Sequence, residues 1–330
     1  MKRDTIRAIV KASGVCPGEL VLVHFWGEDS DKYIANDFTC AVAELGGAPV
    51  LLQQARSVNQ NLFSSAAEGC FDARYFELLS SFDAVLDVFA YQPIVLGGKI
   101  GEKGFAQYRN YIARLFGCLM RAKRFAQIRI PTRANAEESG LEPEEYIRRM
   151  TDAYDVDYDE LQEACRTRAE ELAGCTALTV RTGENCELQF DLTGRSWHVD
   201  AGDGDWPCGE VYIAPVEEHT SGEVYFERLY LEDRGECEKV ILRIEGGRAV
   251  SSDHETVDRF LKELPLENSV VCELGLGMNP MVRDLCGYSV LDEKMAGTFH
   301  IALGANHMFG GKNEASMHLD MVGVGHIIPS

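Results

Sequence analysis

From Val270 to the C-terminus the chain is a succession of short apolar segments, several of which carry a carboxylate or an imidazole that packing alone does not call for. In Ser316-Met317-His318-Leu319-Asp320-Met321-Val322, strand alternation puts His318 and Asp320 on one face and Met317, Leu319 and Met321 on the other. His300 lies in the run Gly297 to Gly304, and Glu273 in Val270 to Gly275, two further strand-like stretches that end at glycine. A buried carboxylate without a partner costs several kcal/mol, so Glu273 needs a counter-charge. Arg283 is one candidate; the other is a metal cation held jointly by these side chains. The spacing leaves both open.

Earlier in the chain the texture differs. Leu20 to Trp26 is an apolar run of strand length, suited to a strand covered on both faces. A helix from Asp31 to Leu45, stopped by Gly46-Gly47, leads to a second strand at Ala48 to Leu52, a β-α-β unit whose strands are parallel neighbours. Further strands are expected at Phe82 to Phe89 and Gln127 to Pro131, with a helix from Ala106 to Lys123 between them and charged amphipathic helices at Glu137 to Met150 and Asp159 to Leu172. From Thr176 the segments shorten and alternate. Hairpins are expected around Gly183-Glu184-Asn185 and Gly246-Gly247, with one helix at Asp253 to Leu264. The chain is therefore expected to form an α/β N-terminal domain with a parallel sheet, residues 1–174, followed by an α+β, hairpin-rich domain, residues 175–330, that carries the candidate metal ligands.

With a formal charge of −21 the chain is a poor partner for nucleic acid or an anionic membrane. The first strand ends in Trp26-Gly27-Glu28-Asp29, with neither a G-x-G-x-x-G nor a P-loop to receive a nucleotide phosphate. Eleven scattered cysteines without a C-x-x-C pair suit reduced thiols, and no apolar run approaches a membrane span, so a cytoplasmic protein is expected. Within Asp203 to Pro215, a glycine-rich turn delivers Glu210 to the start of a strand.

The ordered motifs Pro207-x-Gly209-Glu210-Val211-x-x-Ala214-Pro215, Glu273-Leu274-Gly275-x-Gly277-x-Asn279-Pro280, Leu291-Asp292-Glu293-Lys294 through Gly297-Thr298-x-His300, and Gly311-x-Asn313-x-x-Ser316-x-His318-x-Asp320 resemble the thermophilic aminopeptidase family of the aminopeptidase T and S type. The resemblance implies a homodimeric exopeptidase acting on small peptides, with two divalent ions (Zn, Co or Mn) bound by Glu210, Glu273, His300, His318 and Asp320, Glu273 bridging. Where the family has a tyrosine after the His300 motif, this chain has His307. His307 and Glu314 adjoin the ligand motifs and are the candidate proton carriers. Two histidines with one carboxylate would equally suit a single Fe(II), as in ring-cleaving dioxygenases that look like distant relatives of this group. A homologue that binds small molecules without turnover is the third reading.

Overall fold

The computed structural model describes residues 1–93, 100–231 and 234–330. They divide into two compact units: residues 1–158 with 202–207, and residues 159–201 with 208–330.

In the first unit, Leu20–Trp26 lies between Ala48–Gln53 and Ala84–Phe89, and the sheet continues through Arg124–Arg129 to the short Asp205–Trp206 strand, all parallel. Strand 84–89 is buried along its whole length, and strand 20–26 all but its first residue, as helices covering both faces require. At the carboxyl end of the sheet, Glu28 accepts hydrogen bonds from the Ser57 amide (3.2 Å) and from Tyr91 Oη (3.3 Å). The start of the Arg56–Ser65 helix, where a phosphate would sit in a nucleotide-binding α/β protein, is thus met by the chain's own carboxylate. Below it, His24 Nδ1 lies 2.8 Å from Asp87 Oδ1, and Trp26 Nε1 donates to the same oxygen at 2.9 Å, all fully buried.

The expected helix over 137–150 is instead two, Arg133–Glu138 and Pro143–Tyr154. Gly140 turns the chain at a φ of 69°, and Pro143 opens the second helix, whose first amides are capped by the Glu142 carboxylate. The expected 106–123 helix runs Glu102–Leu119, and its following strand ends at Arg129. Helices Arg56–Ser65 and Ala73–Leu79 had no counterpart in the sequence reading.

The second unit holds two antiparallel sheets. One has six strands, built on the long hairpin Ser221–Leu231 with Gly235–Glu245 and the shorter hairpin Ala177–Thr182 with Cys186–Asp191, and edged by His326–Pro329. The other has five, in the order His318–Val324, Thr298–Gly304, Val271–Gly277, Glu210–Ile213, His198–Asp200. Its apolar face packs on the first sheet, with the Phe299 and Phe226 rings 6.0 Å apart. Its other face carries the polar residues. No helix among the described residues is long and apolar enough to cross a membrane.

Candidate metal centre

Pairing register sets which side chains meet. Glu210 and Tyr212 face the same way on strand 210–213, as do Glu273, Gly275 and Gly277 on strand 271–277. The register aligns Gly277 with Glu210, Gly275 with both Tyr212 and His300, and Ala302 with both Glu273 and Asp320. Gly304 pairs with His318, and the edge strand adds His198 opposite Tyr212 and Asp200 opposite Glu210. One face of one sheet therefore collects Asp200, Glu210, Glu273, His300, His318 and Asp320. Alternate positions carry Leu274, Leu276, Phe299, Ile301 and Met321, which face the core.

Two donor groups result, Glu210 with Glu273 and His300, and Glu273 with His318 and Asp320, the potential ligand atoms of each lying within 4.8 Å of one another. Glu273 belongs to both. Its Oε1 is 3.2 Å from His300 Nε2, and its Oε2 is 3.5 Å from His318 Nε2. Glu210 Oε2 is 3.4 Å from His300 Nε2, and Asp320 Oδ1 is 3.4 Å from His318 Nε2. The counter-charge of Glu273 is this histidine pair; Arg283, the sequence alternative, is exposed. His318 Nδ1 donates to the Ala305 carbonyl at 3.0 Å, which turns Nε2 toward the carboxylates.

Three neighbours escaped the sequence reading. Lys294, 1% exposed, directs its ammonium at Glu293 (2.9 Å), Asp200 (3.4 Å) and Glu210 Oε1. Its motif Leu291-Asp292-Glu293-Lys294 has the composition of a solvated turn, and Asp200 belongs to none of the strands expected from the sequence. Nothing local in either segment signals burial. His307 and Glu314 are both exposed on the segment between strands 298–304 and 318–324, and join none of the contacts that link the five candidate ligands.

The electrostatics are those of an acid surplus. Burial lifts the Glu273 carboxyl above its ordinary range and the Glu293 carboxyl well above it. Burial would raise Asp320 too, but its hydrogen bond to His318, the charges of His318 and His300 and a hydrogen bond with Glu293 outweigh it and hold Asp320 down at about 2. Burial opposes charge on His300, yet the hydrogen bond to Glu273 and the negative charges of Glu210 and Asp320 push it up to about 9. His318 is raised in the same sense by Asp320 and Cys272, again against burial.

The carboxylates thus draw protons onto both imidazoles. A divalent cation would satisfy the same oxygens and leave the imidazoles neutral as donors. Glu210 Oε2, fully buried, accepts no hydrogen bond from any of the described residues. Oxygen and imidazole donors without thiolate suit zinc, cobalt or manganese, and the residues present fit such ions.

A family model described as thermophilic metalloprotease (M29) matches residues 105–327, well over half the chain and including every residue of the cluster. The chain belongs to this metalloprotease family. No curated protein matches the sequence. Among solved structures, wild-type AmpT from Thermus thermophilus aligns with a TM-score of 0.69 at 18% identity, over 99% of this chain and 97% of that one. The 2,5-dihydroxypyridine dioxygenase from Pseudomonas putida KT2440 aligns with a TM-score of 0.66 at 15% identity, over 99% and 93%. At these identities the likenesses concern the fold, and they agree with a parallel α/β N-terminal half followed by an antiparallel, hairpin-rich C-terminal half. As a member of this family, the protein is a metal-dependent peptidase, and its two overlapping donor groups are the candidate metal-binding residues.

Proposed function

We propose that the protein is an aminopeptidase that removes N-terminal residues from small peptides, with one divalent ion held by Glu210, Glu273 and His300 and a second by Glu273, His318 and Asp320. The sharing of Glu273 between two complete donor groups carries this reading. Two cations there would polarise a scissile carbonyl as Lewis acids and lower the pKa of a water toward about 7. Glu210, Glu273 and Asp320 supply the balancing charge, while Lys294 offsets Asp200 and keeps Glu210 oriented through one oxygen. Glu293, whose carboxyl burial raises well above its ordinary range, lies beside Asp320. His307 and Glu314, exposed on the adjoining segment, can carry protons between site and solvent.

The same reading takes Zn, Co or Mn as the ions, residues 175–330 as the catalytic domain and a cytoplasmic homodimer as the working form. A second reading, one Fe(II) and ring cleavage, is favoured by the likeness to the dihydroxypyridine dioxygenase fold. A single-ion site has no use for Glu210 and Asp320 together, which supports the first.

Metal analysis of protein purified without added metal, followed by leucyl-anilide hydrolysis, tests the choice. Close to two Zn, Co or Mn per chain with turnover is expected, and Glu210→Gln should lose one ion and nearly all turnover. One Fe per chain and no amide hydrolysis would replace this reading with the dioxygenase.

A further inference from the structure

Beside the charged cluster stands a run of aromatic rings that neither the fold nor metal binding requires. Phe309 lies on the short helical turn His307–Phe309, and its ring centre is 6.1 Å from that of His318, on one edge of the cluster. On the other side it meets Tyr212 at 5.5 Å and His198 at 6.3 Å, and Tyr212 stacks on His198 at 5.2 Å. Strands 271–277 and 298–304, which carry Glu273 and His300, run between the strands of Tyr212 and His318. Phe309 therefore reaches across the candidate ligands. Phe309, Tyr212 and His198 are each only partly buried, so their rings line an accessible surface. Strand pairing sets Tyr212 opposite Gly275, on the face that carries Glu210 and Glu273.

The segment that presents Phe309 is tied down at several points. His198 Nε2 donates to the Phe309 carbonyl at 3.1 Å, and Arg195 donates to the Gly310 carbonyl. Glu217 pairs with Arg195 at 2.6 Å and accepts from the Lys312 amide at 2.6 Å and Asn306 Nδ2 at 3.1 Å. Asn306 also donates to the Cys272 carbonyl, next to Glu273. A surface that discriminates between side chains must be rigid, because a yielding wall adapts to any occupant. Elsewhere the site is lined by Asp200, Glu210, Glu293 and Lys294, where an apolar group would strand desolvated charge.

We infer that Phe309, Tyr212 and His198 form the subsite for the side chain of the substrate's first residue, and that it selects large apolar and aromatic side chains. The inference rests on the aminopeptidase reading above and adds the substrate class. The competing role for Phe309, a cover over His318, would alter metal retention and would affect all substrates alike. A subsite alters the ratio between them.

The test uses full-length protein loaded with zinc, with phenylalanyl, leucyl, alanyl and glycyl anilides as substrates and calorimetric titration of free L-phenylalanine and glycine as a readout apart from turnover. Wild type is expected to prefer the phenylalanyl and leucyl substrates. In Phe309→Ala the phenylalanyl-to-glycyl ratio of kcat/KM should fall about tenfold, and the preference for L-phenylalanine over glycine in binding should fall with it. Phe309→Leu should restore the leucyl preference. A parallel fall for all four substrates, loss of bound metal in Phe309→Ala, or a wild-type preference for glycyl substrates would overturn the assignment. If wild type cleaves none of the anilides, the aminopeptidase reading fails by itself. Titration then decides the subsite, and equal binding of L-phenylalanine and glycine would reject it.

Discussion

Gly275 lies directly against the imidazole of His300: a Cβ at position 275 would come within 2.0 Å of Nε2 and 2.1 Å of Cε1. The paired strands hold these two residues opposite each other, and the absent side chain is the space in which the candidate ligand lies. Gly275→Ala must displace the ring while leaving a strand-compatible backbone. The variant should keep its far-ultraviolet dichroism and lose about one bound ion per chain, measured by elemental analysis after gel filtration. Full metal content in a folded variant would mean that His300 does not hold an ion.

Lys294 supports a different expectation. Its ammonium is buried among Glu210, Glu293 and Asp200, and removal of one partner from such a group leaves uncompensated charge in a low dielectric. Lys294→Met should lower the stability of metal-free protein by about 3 kcal/mol, the usual scale for a broken buried ion pair. Urea unfolding measures this. A loss below about 1 kcal/mol would show that the carboxylates can neutralise themselves by taking up protons.

The buried His24, Asp87 and Trp26 group in the first unit is a control of the same chemical kind. Asp87 Oδ1 receives both His24 Nδ1 and Trp26 Nε1, so Asp87→Ala leaves two buried polar groups without a partner. It should destabilise by roughly 3 kcal/mol and leave the metal content unchanged. Lost metal would tie this cluster to the donor groups of the second unit.

Where the sequence is legible, the reason is periodicity. Leu20 to Trp26 needs cover on both faces, and the alternation in His318-Leu319-Asp320 requires a strand with one polar face; both occur. Glu273 and His300 are legible as carboxylate and imidazole on apolar strands. The role of Gly275 is not legible in Gly275-Leu276-Gly277, because the space it leaves for His300 depends on strand pairing 25 residues away. Lys294 and Asp200 are hidden for the same reason: a Glu-Lys pair after Leu-Asp is ordinary surface sequence until the fold buries it. Phe309 also declares nothing locally, since its place beside Tyr212 and His318 comes from the hydrogen bonds of Glu217 and Asn306.

Glu217 gives the segment carrying Phe309 a pH dependence whose sign can be worked out. Burial alone would raise its carboxyl, but the Lys312 amide, the Arg195 charge and the Asn306 amide outweigh burial and hold it below the usual carboxylate range. A carboxyl with a depressed folded-state pKa contributes stability that is complete above the unfolded-state value of about 4.3 and vanishes as pH falls through the lower folded-state value. Wild type should therefore melt at a higher temperature than Glu217→Gln near pH 7, by a margin that stays constant down to about pH 5 and closes below about pH 4. Phe309 fluorescence is too weak to follow the segment, but hydrogen exchange at Lys312, whose amide donates to Glu217, reads it directly. Protection at Lys312 should be lost in Glu217→Gln at neutral pH and in wild type only on acidification. A melting difference that grew as pH fell would mean that Glu217 is held protonated, with the Arg195 contact contributing nothing.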